Sequence, residues 1–231
     1  MTTQTDSTYS IQDVLANLKK IGLPPDWDDG TNLLAASLYR EIAKGAPVEP
    51  ATVEKLISAA GVDPETGSEF IAGVTEKDDS GNVVGAIGLS QNQYAHEFRV
   101  NGVNLTTWCA WDTLFIAQVL GQTANVTSHA PGSGEEITLE ITPERAVSNP
   151  PEAVVSFVLL DSDQIDMDSM ESIYMVFCHQ VLFFPSREAA EKWSADSKYE
   201  FAIMSVDDAF QIGAVAFANL IKAAQNEPAT K

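Results

Sequence analysis

Lysine and arginine are scarce in this sequence. Thirteen of them stand against 33 aspartates and glutamates among 231 residues, a formal net charge of −20 and a sequence pI near 4.2. A surface this negative repels phosphate backbones and anionic headgroups, which argues against nucleic acid or membrane as a partner. Cysteine is scarcer still. Cys109 and Cys178 stand far apart, with no Cys-x-x-Cys element and no zinc-type spacing, so neither a disulfide scaffold nor a structural zinc site is expected. Long hydrophobic runs are also missing. The stretches around Trp108–Leu120 and Ile173–Phe184 fall short of the ~18–20 apolar residues that cross a bilayer, or carry polar residues. Met1–Ser7 shows no basic stretch followed by an apolar core, so no secretory signal is expected. A cytoplasmic location, where thiols stay reduced, is the resulting expectation.

What is present is an ordinary globular composition, 45% hydrophobic and 20% charged, without low complexity or repeats. Residues 1–30 read as a polar arm with a helix near Ile11–Lys20. Leu33–Lys44, Pro50–Ala60 and Pro64–Val74 have apolar positions at helical spacing, and the first two are closed by Gly45 and Gly61. The turn signal Asp78–Asn82 then leads into a strand over Val83–Leu89. Three helices and a hairpin outline a winged-helix-like module over residues 31–95. The segment Thr52–Ala60 carries only Lys55 beside Glu54, too little charge for a DNA-recognition helix.

Residues 96–231 change character. Strands are expected at His96–Val100, Thr123–His129, Ile137–Ile141, Ala153–Leu160, Ile173–Phe184 and Phe201–Val206. A helix starts at Ser186, and another covers Asp207–Ala224. The expected class is α+β, with a mixed or antiparallel sheet as the catalytic core, flanked by helices. The acidic stretch Asp161–Glu171 lacks the glycine and the terminal glutamate of an EF-hand loop and reads as a solvated loop.

Chemistry concentrates in Thr106–Gly121. Thr106 or Thr107 can cap a helix that Gly121 ends, and the positions between are almost all apolar, so the helix should be buried. Cys109 would sit in its first turn, where unpaired N–H groups and the helix dipole favour a thiolate. Asp112 lies three residues on, on the same face. A carboxyl buried there should titrate above its ordinary range and could carry a proton, unless it only caps the helix or pairs at the surface. Strand alternation over Ile173–Phe184 puts Cys178 on one face with Val176, Gln180 and Leu182, and His179 on the other. None of the three histidines, His96, His129 and His179, can be placed beside Cys109, which weakens a Cys–His hydrolase. The two cysteines are either separate core residues or partners brought together by the fold.

The run Trp108-Cys109-Ala110-x-Asp112-Thr113-Leu114, followed by Ser128-His129, Phe177-Cys178 and Phe183-Phe184, resembles the alkylmercury (organomercurial) lyases. The likeness extends through Ala190-Glu191-x-Trp193 and Ser205-Val206-x-x-Ala209-Phe210. Upstream it takes in Ala43-Lys44-Gly45-x-Pro47-Val48 and Gly81–Gly85. Ala130 stands where several family members have a further cysteine. The resemblance implies protonolytic cleavage of a carbon–mercury bond. Cys109 and Cys178 would bind the soft mercury ion as thiolates, with Asp112 beside it relaying the proton. Trp108, Trp111 and Phe177 would contribute to the substrate pocket. No permanently bound cofactor is implied. Hg²⁺ would be the product, free cellular thiols would be required for turnover, and a mercuric reductase would receive the metal. A thiol-based mercury-binding or sensing protein is the competing reading, and it has no need of Asp112.

Overall fold

The structure, a computed structural model, describes residues 9–226, so residues 1–8 of the expected arm lie outside the described residues. The helix expected in that arm is α1 (Ile11–Lys20). Its start is fixed by a reciprocal cap: the Ser10 hydroxyl accepts the Asp13 N–H, and the Asp13 carboxylate accepts the Ser10 N–H at 2.8 Å. Three helices follow, α2 (Asp29–Ile42), α3 (Pro50–Ala59) and α4 (Pro64–Val74). The last two open on proline, whose missing N–H costs nothing at that position.

The strands form two antiparallel sheets. In the larger, β1 (Thr75–Lys77), β2 (Val83–Ala86), β3 (Leu89–Ser90), β4 (His96–Val100), β5 (Val103–Thr107), β6 (Ala124–His129), β7 (Glu136–Ile141) and β8 (Ala146–Asn149) lie in the order β1-β2-β3-β5-β4-β6-β7-β8. The smaller sheet has β9 (Val154–Leu159) between β10 (Phe183–Phe184) and β11 (Glu200–Ser205). Helices α7 (Arg187–Ser194), α8 (Val206–Ala216) and α9 (Ala218–Asn226) complete the mixed α+β architecture. Among the described residues no helix is long and apolar enough to cross a membrane.

The organising element is α5 (Ala110–Leu120), every residue of which is buried. It packs against α2, α8 and α9 and against β4 and β5, which is why its sequence has no polar face. Gly121 ends it at φ +64, a left-handed conformation that glycine adopts without steric cost. Phe115 on its inner face stacks on Phe217 with ring centroids 3.8 Å apart.

Three expected elements take another form. The strand expected over Val83–Leu89 is two strands, β2 and β3, paired with each other across Ile87–Gly88. The single helix expected over Asp207–Ala224 is α8 and α9, broken at Phe217, whose ring is committed to Phe115. The long strand expected over Ile173–Phe184 is helical for most of its length. A short α6 (Met170–Ser172) runs into a π-helical turn, Ile173–Phe177, and a 3-10 turn, Cys178–Gln180, and only Phe183–Phe184 pair with β9. Strand propensity in a β-branched and aromatic run holds only where a neighbouring strand is free to pair. Here β9 has β11 along all six of its residues on one side and accepts two residues of β10 on the other.

Because α5 is enclosed on all sides, Leu114→Ala should lower the unfolding free energy by about 2–5 kcal/mol, as read from a denaturant titration. Val215→Ala, at an exposed position on α8, should change it by less than about 0.5 kcal/mol.

Candidate active site

The N-terminus of α5 places the first two groups. Cys109 is its N-cap, with extended backbone at φ −140, so neither threonine caps the helix as expected. The Thr107 hydroxyl instead donates to the Cys109 carbonyl at 2.9 Å. Asp112 turns back along the helix, and its carboxylate accepts the Cys109 N–H at 2.8 Å. The cysteine and the carboxyl therefore share one helix end.

Cys178 arrives from the other half of the chain. The π-helical turn before it bulges the chain, a feature common at functional sites. Two anchors secure the segment that follows. The buried Ser156 hydroxyl on β9 donates to the Gln180 carbonyl at 2.7 Å and accepts the Leu182 N–H at 3.1 Å. The Ala110 N–H donates to the Val181 carbonyl at 3.0 Å, so the residue after Cys109 is tied directly to the turn that carries Cys178.

The result is one cluster. Ligand atoms of Cys109, Asp112 and Cys178 all lie within 4.8 Å of one another, and all three side chains are buried. Burial dominates their protonation. It lifts the Asp112 carboxyl to about 7, against the opposing bonds from Cys109. It pushes the Cys109 thiol well above its ordinary value, helped by its hydrogen bond to Cys178 and the charges of Asp112 and Cys178. The helix N-terminus therefore does not make Cys109 a resting thiolate: desolvation outweighs the dipole there. For Cys178, the hydrogen bond from Cys109 pulls the thiol down, while burial and the Asp112 charge leave it above its ordinary value. At neutral pH the site holds two thiols and a carboxyl poised to gain or lose a proton.

A cavity of about 380 Å³ reaches this cluster. Asp112 and Cys178 line it together with Trp108, Trp111, Phe115 and Phe177. Cys109, with no exposed surface, is not among its lining residues. The acidic stretch is exposed at Asp161, Asp163, Asp166 and Asp168, and Asp168 reaches the cavity rim. Each histidine lies elsewhere. His96 is buried with Nδ1 2.8 Å from the Ser128 hydroxyl, and burial holds it down at about 4. His129 and His179 are exposed, and the His179 ring lies against Tyr174 with centroids 4.4 Å apart.

Sequence reasoning missed the groups that enclose the site from the N-terminal half. The Trp108 indole N–H donates to Glu76 at 2.6 Å, and Ser90 and Asn92 donate to the same carboxylate. Gly88 lies against the Asp112 carboxyl, and the Trp108 backbone N–H donates to the Gly88 carbonyl at 2.9 Å. A lone glycine inside a strand pattern, here Gly88, signals a bulge or a close backbone approach. Nothing local in the sequence points from that glycine to Asp112.

A family model described as alkylmercury lyase matches residues 89–218. An alkylmercury lyase of Streptomyces lividans is 36% identical over 179 residues, covering 76% of this chain and 78% of its own length. One of Bacillus cereus is 33% identical over 206 residues, with coverage of 88% and 89%. The crystal structure of the mercury-bound form of MerB2 superimposes with a TM-score of 0.67, covering 93% of this chain and 98% of that one. At 21% identity, that likeness is one of fold.

The raised Asp112 carboxyl has a thermodynamic consequence. Between its ordinary value of 3.8 and about 7, the folded chain keeps a proton that the unfolded chain has lost, so stability falls as pH rises. Relative to Asp112→Asn, the wild-type protein should lose on the order of 4 kcal/mol between about pH 4 and pH 7. Denaturant titrations of the two proteins across that range check this, and the contribution of His96 cancels in the comparison.

Proposed function

The chain belongs to the alkylmercury lyase family, enzymes that cleave carbon–mercury bonds, and we propose that Cys109, Cys178 and Asp112 carry the reaction. The observation behind this reading is the cluster itself, two thiols and a carboxyl mutually within 4.8 Å in a buried space. Mercury(II) is soft and prefers sulfur, so two thiols at this spacing suit it better than any oxygen or nitrogen set.

The substrate, an organomercurial cation R–Hg⁺, enters the aromatic cavity, where Trp108, Trp111 and Phe177 contact the organic group. Each thiol gives up its proton as it binds mercury. Asp112, titrating at about 7, is the nearest base: it takes one thiol proton and passes it to the carbon as the Hg–C bond breaks. The two sulfur donors place electron density on the metal and weaken that bond. The products are R–H, Hg²⁺ held by two thiolates, and one proton released to solvent, so atoms and charge balance.

The reaction so written needs no organic cofactor. Free cellular thiols lift Hg²⁺ from the two cysteines and a mercuric reductase takes it on, which suits a reducing cytoplasm. Residues 31–95 serve as a winged-helix-like module that backs the site with its hairpin, and 96–231 form the catalytic domain. The shortage of Lys and Arg argues against a nucleic-acid role for that module.

In excess thiol, the purified protein should release benzene from phenylmercury and methane from methylmercury. Asp112→Ala should keep stoichiometric mercury binding and lose turnover by at least about a hundredfold. Cys109→Ser and Cys178→Ser should each abolish turnover. Gas chromatography of the headspace reads all four proteins. Full activity in either serine variant would overturn the reading, and mercury uptake without hydrocarbon release would leave a sequestering protein.

A further inference from the structure

The turn between β2 and β3 has two residues, and both are left-handed, Ile87 at φ +48 and Gly88 at φ +91. Isoleucine seldom adopts that conformation, because its branched Cβ crowds the backbone. A β-branched residue held there needs restraint from its surroundings. The restraints are visible. The Tyr39 hydroxyl on α2 donates to the Ile87 carbonyl at 2.6 Å. The Ile87 N–H donates to the Val74 carbonyl at 3.2 Å, and the Gly88 carbonyl accepts the Trp108 N–H at 2.9 Å.

The turn is pressed against the proton-carrying group. A Cβ at position 88 would stand 2.6 Å from the Asp112 carboxyl carbon and 2.7 and 2.8 Å from its two oxygens. Only glycine leaves room for a carboxyl so close to the backbone. Asp112 is therefore fixed from two sides, by the Cys109 N–H on one oxygen and by the backbone of Gly88 against its flank.

We propose that the Ile87–Gly88 turn positions the Asp112 carboxyl for proton transfer, and that Tyr39 is the positioning residue that holds the turn in place. Tyr39 has no exposed surface. Burial, with the Asp112 and Cys109 charges acting on it, keeps the phenol protonated and so a donor. It does not touch substrate. It acts through the Ile87 carbonyl, and the turn acts on Asp112. Proton transfer depends steeply on donor–acceptor geometry, so a small displacement of the carboxyl should show in the chemical step rather than in mercury binding.

This rests on the reading of Asp112 as proton carrier, and the test separates the two. Tyr39→Phe, Gly88→Ala, the double variant and Asp112→Asn are compared with wild type for kcat, KM and mercury bound per chain, with kcat expressed per mercury-titrated site so that misfolded protein does not count. Tyr39→Phe should lower kcat about tenfold, with KM within about twofold, because only the transition state needs the carboxyl in register. Gly88→Ala should lower kcat by about a hundredfold or more while both thiols still bind mercury. The double variant should fall no further than Gly88→Ala alone, since both changes act through one turn. Unchanged kcat per titrated site in Tyr39→Phe or in Gly88→Ala would overturn the proposal, as would losses that multiply in the double variant. If Tyr39→Phe does not fold, Gly88→Ala decides alone. Full turnover in Asp112→Asn would instead overturn the role of Asp112, and this proposal with it.

Discussion

Three ionisable groups share one buried space, and their desolvation sets the chemistry of the site. Water would hold Asp112 ionised and leave the cysteines ordinary thiols. With water removed, the carboxyl rises to about 7 and both thiols keep their protons. A soft cation that reaches this cluster through the cavity meets two sulfur atoms, and the Asp112 carboxyl lies beside them for the protons it displaces. The rest of the fold serves to bring the three groups together and to bury them.

Two long-range connections do this. Cys109 and Asp112 are placed by the start of α5, a helix enclosed on every side, so its position follows from the packing of the whole molecule. Cys178 is placed by a helical turn between β9 and β10, tied back by Ser156 on β9 and by the Ala110 N–H. The N-terminal half braces the site as well, with Glu76 on the Trp108 indole, Gly88 against Asp112 and Tyr39 behind that turn. Strands β1 to β3 belong to the same sheet as β4 to β8, so the hairpin that follows the first helices is part of the site's support.

Much of this was legible in the sequence. The buried helix was marked by its apolar run and by Gly121, and the rise of the Asp112 carboxyl followed from its place inside that run. Helix α1 lies where the sequence places a helix, Ile11–Lys20. The failures share one cause: the deciding partner was distant. Ile173–Phe184 has strand composition, yet β9 offers it room for only Phe183 and Phe184. The helix dipole at Cys109 was readable locally, whereas the burial that outweighs it depends on elements throughout the chain. Tyr39 and Gly88 carry no local mark of function, because their role exists only through the turn that brings them to Asp112.

The shortage of basic residues makes polyanions poor partners and says nothing further about the reaction. The scarcity of cysteine is the more informative number, since both cysteines meet in one cluster with the carboxyl. The most direct test of the account is X-ray absorption at the mercury edge of protein loaded with one equivalent of Hg²⁺, without added thiol. The account predicts two protein sulfur ligands on the bound ion in the wild type and one in Cys178→Ser. A single sulfur in the wild type, or an unchanged spectrum in the variant, would contradict it.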